Sequence, residues 1–118
     1  MSDDSIIDKL LETGLDDWVA VHDVVWNSTR GTINDESKDR TIRILGRLYS
    51  EGLMVPGDLG ASGFEDWPSA PQDWISRSRS ELDRFDWCPM GAGFWLRLTS
   101  YGKTKATRGH IDADETEL

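Results

Sequence analysis

The sequence predicts a mainly α, α+β domain: a three-helix core, then a small β-hairpin whose two strands are parted by a helical insertion. Three observations carry that expectation. Apolar residues recur at helical spacing in three early segments. The third segment ends at Gly52 and runs straight into the short apolar stretch Leu53-Met54-Val55. Far downstream, Phe94-Trp95-Leu96-Arg97-Leu98 alternates with period two, so Phe94, Leu96 and Leu98 share one face. A chain of 118 residues suits one domain. That domain is assigned to residues 1–108 with the insertion at 57–93, followed by an acidic flexible tail at 109–118.

The elements follow in order. Ser5 is the expected N-cap of the first helix, with Asp8 as a capping-box variant. Ile6, Ile7, Leu10 and Leu11 form its stripe, and Gly14 is its expected stop. Asp16 and Asp17 either cap the second helix directly or precede a short extended piece at 18–20. Trp18, Val21, Val24 and Val25 make its apolar face, and it ends near Ser28. Residues 30–34 connect to a third helix over about 35–51, with Ile42, Leu45, Leu48 and Tyr49 inward. Leu53-Met54-Val55 is a short strand, turned by Pro56-Gly57-Asp58. Residues 60–70 read as loop. A fourth helix covers about 70–85, with Trp74, Ser78, Leu82 and Phe85 on one side and Ile75 beside them. Residues 87–93 form a turn-rich bridge to the last strand, after which Thr99 caps a final helix through about Thr107.

Two of these stretches carry a resemblance. Arg43-Ile44-Leu45-Gly46-Arg47-Leu48-Tyr49-Ser50-Glu51-Gly52-Leu53-Met54-Val55 resembles the third helix and following strand of the winged helix-turn-helix superfamily. Leu96-Arg97-Leu98-Thr99-Ser100-Tyr101-Gly102 resembles its returning wing strand and next helix. With the first two helices the likeness covers about two thirds of the chain. A simple wing is a tight hairpin, whereas here Gly57 to Gly93 intervene. The whole chain also resembles small bacterial proteins that share an aspartate-aspartate-tryptophan start and a wing insertion, a likeness that implies no function.

Charge is unevenly distributed. The formal net charge is -9. Residues 1–17 carry six carboxylates against Lys9, residues 109–118 carry four with no lysine or arginine, and the stretch between is balanced. Acidic ends repel nucleic acid and favour a basic partner, or serve solubility alone. The single cysteine, Cys88, has no internal disulfide partner. The first residues lack a secretory pattern and no apolar run reaches membrane-span length, so the expected location is cytoplasmic, with no membrane partner.

In winged helices that bind DNA the third helix enters the major groove, and the resemblance implies that Lys38, Arg40, Arg43 and Arg47 would face it. Glu36, Asp39 and Glu51 each stand four residues from one of these arginines, at ion-pairing spacing. A self-paired, solvated face is therefore expected, and phosphate affinity depends on uncompensated cations. Catalytic signals are weak. His22 and His110 stand far apart, and His22 and Asp23 are helix neighbours that point different ways. Glu65-Asp66 reads as an exposed acidic loop rather than a cation site. Ser76, Ser78 and Ser80 read as packing and polar positions, not nucleophiles. The glycine runs at 57–60 and 91–93 lack the context of a phosphate cradle. No enzyme activity, metal or cofactor is expected.

The insertion is the distinctive element. Phe64, Trp67, Trp74 and Trp87 bracket it with Pro68, Pro71 and Pro89. Its plainer role is a lid that extends the core. Its sharper role is a partner-binding surface built on Phe64, Trp67 and Trp87, because aromatics on a stiffened loop lose little entropy on binding. The leading expectation is thus a protein-interaction or regulatory module: an adaptor, a regulatory subunit, or an antitoxin- or immunity-type inhibitor of a basic partner, acting as monomer or homodimer. The second is a dimeric DNA-binding transcriptional regulator.

Overall fold

Helix α1 spans Asp3–Asp16 and is capped by Ser2, whose Oγ accepts the Ser5 N–H at 3.2 Å. The computed structural model describes the backbone of residues 2–115 and the side chains of residues 2–108. Ser5, expected as the cap, lies inside the first turn. Asp3 and Asp4 sit where the helix dipole favours negative charge. Gly14 does not end the helix. It lies where the Leu98 and Met54 side chains press against α1, so that a Cβ there would make tight contact with both. The helix ends at Asp17, whose carboxylate accepts the Trp18 N–H at 2.7 Å.

Strand β1, Val19–Ala20, leads directly into α2, Val21–Thr29. The extended piece at 18–20 thus exists, and it ends Trp18's place on the helix face. Arg30 and Gly31 take left-handed conformations and stop α2. Helix α3, Asp35–Ser50, opens on a full capping box between Asn34 and Ser37, with the Ser37 N–H to Asn34 Oδ1 bond at 2.8 Å. Its fully buried apolar residues are Ile44, Leu45 and Leu48, while Ile42 and Tyr49 pack at the margin.

The sheet is larger than the expected hairpin. Strand β2 is Met54–Gly60, β3 is Gly63–Asp66 and β4 is Trp95–Leu98. They form one antiparallel sheet with β1, in the order β1-β4-β2-β3. The expected turn at Pro56-Gly57-Asp58 is instead the middle of β2. The Trp67 N–H donates to the Pro56 carbonyl at 3.1 Å, so the side of Pro56 that lacks an N–H faces the point where β3 ends. The proline forfeits only the return bond to residue 67, where the β2–β3 ladder has already ended. Gly57 is needed because the Phe64 ring and the Glu65 carbonyl lie against it, and any Cβ would collide with both. The turn falls four residues later, at 60–63, and residues 63–66, read as loop, form β3.

The insertion continues through a 3-10 turn, Pro71–Asp73, into α4, Trp74–Arg84. Helix α4 packs on α3: Ile75 reaches Gly46, the Tyr49 and Trp74 rings meet edge-on at 5.5 Å, and Tyr49 Oη and Ser78 Oγ share a 2.8 Å hydrogen bond. Burial raises the Tyr49 pKa, with the Ser78 bond opposing.

Helix α5, Ser100–Glu115, starts at Thr99, whose Oγ1 accepts the Gly102 N–H at 2.9 Å. Its backbone runs past the expected end near Thr107. The side chains of the assigned tail at 109–118 lie outside the described residues, as do residues 116–118 altogether. The architecture is mixed α/β, with five α-helices and a four-stranded antiparallel sheet among the described residues. One core joins α1, α2 and α3 to the inner face of the sheet (Val19, Met54, Leu96) and takes in Trp67, Leu82, Trp87 and Phe94 from the insertion and its return.

Candidate functional site

Three surfaces bear on function. The first is the flank of α3 that carries the candidate DNA-contacting cations. Arg43 donates both its Nε and Nη2 hydrogens to the Asp3 carboxylate, a bidentate pair. Arg47 is held between Asp4 and Glu51, at 2.7 Å to each. The Arg47–Glu51 pair was legible from spacing; the pairing of Arg43 crosses to α1 instead of Asp39. The hydrogen bond from Arg43 holds the Asp3 carboxyl below its usual pKa, with the charges of Arg40 and Arg47 adding to the effect. Arg40 borders a polar cleft of about 160 Å³ with Glu36, Ser28 and Thr29. Lys38 turns the other way, its Nζ lying 5.5 Å from the centre of the Trp87 ring.

Because the folded-state pKa of Asp3 is lowered, its pairing with Arg43 contributes above the unfolded carboxylate value of about 3.9 and is lost as pH falls through the folded value. Urea midpoints measured from neutral to acid pH are expected to fall less steeply in Asp3→Asn than in the native chain. Equal slopes would show that the pair contributes nothing.

The second surface was to be the aromatic insertion, and here the structure corrects the expectation. Trp67 is 4% exposed and Trp87 is 3% exposed. Trp67 packs on Phe94 with ring centres 4.8 Å apart, and the Arg77 guanidinium covers its other side at 4.0 Å. The Trp87 indole donates to Asp83 Oδ1 at 2.8 Å. Neither ring offers a face to a partner. Both left-handed residues at 86–87 serve to fold the Trp87 ring back onto the core. The candidate partner-binding and DNA-binding sets even meet, since Lys38 lies over Trp87.

Phe64 alone of the three remains accessible, and it belongs to the third surface. The register places Ala20, Val55, Gly57, Leu59, Phe64, Asp66, Trp95 and Arg97 on the outer sheet face, opposite the core. The Phe64 ring lies across Gly57, and Trp18 packs on Phe64 with ring centres 5.7 Å apart. Arg97 binds Asp66 in a bidentate pair at 2.8 and 2.7 Å, and its guanidinium lies 6.0 Å from the Phe64 ring centre. The hydrogen bond from Arg97 lowers the Asp66 pKa. Trp18 is 41% exposed and Leu59 45% exposed. Sequence reasoning missed Trp18, Leu59, Trp95 and Arg97 here. The alternation across 94–98 was the available signal, since it points Trp95 and Arg97 away from the core.

The remaining chemical candidates sit apart. His22 and Asp23 make no hydrogen bond to one another, and the buried His22 Nδ1 has no partner among the described residues. Ser78 is buried against Tyr49. Among the described residues, no group of three His, Cys, Asp or Glu side chains is placed to hold a metal ion, and no helix is long and apolar enough to cross a membrane. His110 lies outside the described side chains. Comparison of the chain with protein-family models, with curated proteins and with solved structures finds no match.

Proposed function

We propose that the chain is a non-enzymatic protein-interaction module built on a winged-helix-type scaffold. The order helix, short strand, helix, helix, strand and returning strand, with that strand set between β1 and β2, supports the scaffold reading. Under it, β2 and β4 are the wing strands, and β3 with α4 is an insertion between them.

The observation that carries the functional reading is the apolar cluster on the outer face of the sheet. Trp18, Leu59, Phe64 and Trp95 are large apolar side chains on that face, Trp18 and Leu59 well exposed and Phe64 and Trp95 half-buried, and clustered accessible apolar groups on a small protein mark interaction sites. Trp and Phe anchors of this kind dominate binding energy. The acidic surroundings suit a basic protein, whose approach they would steer. Adaptor, regulatory subunit, and antitoxin- or immunity-type inhibitor are all roles open to such a module.

The DNA-reading alternative has less support. Helix α3 is flanked by α4 along Gly46 and Tyr49, while Asp3, Asp4 and Glu51 already hold Arg43 and Arg47. A photo-crosslinking residue installed at Leu59, or separately at Ser50 on α3, tests the choice in cells. Protein adducts from position 59 are expected. Nucleic-acid adducts from position 50, with none to protein from position 59, would overturn the reading.

A further inference from the structure

The outer sheet face ends at a strand edge, and the two features together define what can bind. Strand β3 is an outermost strand, with β2 as its one partner strand among the described residues. The hydrogen bond from the Trp67 N–H to the Pro56 carbonyl sets the phase of the β2–β3 ladder. Bonded and non-bonded pairs alternate from there, so Glu65 faces β2 while the N–H and C=O groups of Phe64 and Asp66 point outward. An edge of this kind is a template for another strand.

We propose that β3 accepts an extended, arginine- or lysine-rich segment of another protein as a fifth strand of the sheet. The proposal rests on the interaction reading above and names its partner class. Main-chain bonds to Phe64 and Asp66 would supply register, as in other cases of strand addition. Alternate side chains of the incoming strand would then project onto the Phe64 and Trp18 rings. That face already holds one cation beside an aromatic ring, Arg97 near Phe64, and a second cation would gain the same attraction.

Charge selects among the occupants. Glu65 lies on β3 beside Asp66, which Arg97 already holds, and Asp16 and Asp17 immediately precede Trp18. A second copy pairing through the same edge would oppose carboxylate to carboxylate, which is destabilising across strands. A nucleic acid would meet like charge. A basic peptide meets complementary charge from Glu65 at the edge and from Asp16 and Asp17 beside Trp18.

The test uses the full chain and an end-capped peptide of about six residues that alternates arginine with valine, matched to a typical strand length. Amide spectra and hydrogen exchange are recorded with and without peptide. Protection gained at the Phe64 and Asp66 amides is expected, together with about a five- to tenfold loss of affinity in Trp18→Ala. Phe64→Leu gives a second readout that keeps an apolar side chain at the edge while removing the ring. Binding without protection at Phe64 and Asp66, or undiminished binding of a peptide N-methylated at alternate positions, would overturn strand addition and leave the interaction reading standing. Absence of peptide binding would overturn this proposal, and only with a simultaneous lack of protein adducts at position 59 would the interaction reading fall too.

Discussion

Trp67→Ala is expected to destabilise the fold by about 3–5 kcal/mol, the usual cost of emptying a large aromatic site in a core. The ring is enclosed by Phe94 below and the Arg77 guanidinium above, and both would lose their packing partner. Trp67→Phe should cost less, because the indole Nε1 has no hydrogen-bond partner among the described residues. Urea unfolding of the two variants checks this directly. Trp18→Ala is the surface control: its ring is well exposed, so its midpoint should move far less. A Trp67→Ala midpoint as close to native as that of Trp18→Ala would return Trp67 to the list of surface residues.

Gly102→Ala is expected to lower stability by about 2 kcal/mol, against the sign that helix propensity predicts. Alanine in a helix interior is favoured over glycine by about 1 kcal/mol. Here, however, a Cβ would overlap the backbone carbonyl of Leu53, which cannot move aside as a side chain would. The same carbonyl accepts the Thr99 N–H at 3.0 Å, so relief of the overlap would break the seam between α5 and the start of β2. Overpacking of this kind costs about 1–3 kcal/mol, and each lost hydrogen bond about 1 kcal/mol more. Gly91→Ala is the matched control, since nothing lies within 4 Å of a Cβ there. A rise in the urea midpoint of Gly102→Ala would show that α5 does not dock on Leu53.

The Gly102 seam also shows what sequence can reveal. Leu96-Arg97-Leu98-Thr99 declares a strand and a cap because both are local patterns, and the Thr99 bond to Gly102 follows from spacing alone. Gly52 and the α3 stripe were legible for the same reason. The failures are tertiary. Pro56-Gly57-Asp58 has turn composition, yet the missing N–H of Pro56 falls where the β2–β3 ladder ends and Gly57 makes room for Phe64. Gly14 has the composition of a helix stop and is instead a contact point for Leu98. Trp67 and Trp87 look like surface anchors on a proline-stiffened loop, and only the return of the chain through α4 and Phe94 reveals their burial. The pairing of Arg43 with Asp3 joins residues 40 positions apart, beyond any helical spacing rule.

The central claim is that α3 is structural and self-neutralised, and that binding belongs to the sheet face. Fluorescence anisotropy of labelled random-sequence duplex DNA, titrated with the chain at low ionic strength, tests it most directly. The account predicts no change in anisotropy, because Arg43 and Arg47 are already engaged by Asp3, Asp4 and Glu51 and Lys38 lies over the Trp87 ring. Saturable binding that weakens steeply with added salt and disappears in Arg43→Ala and Arg47→Ala would contradict it, since such a slope counts phosphates neutralised by free cations.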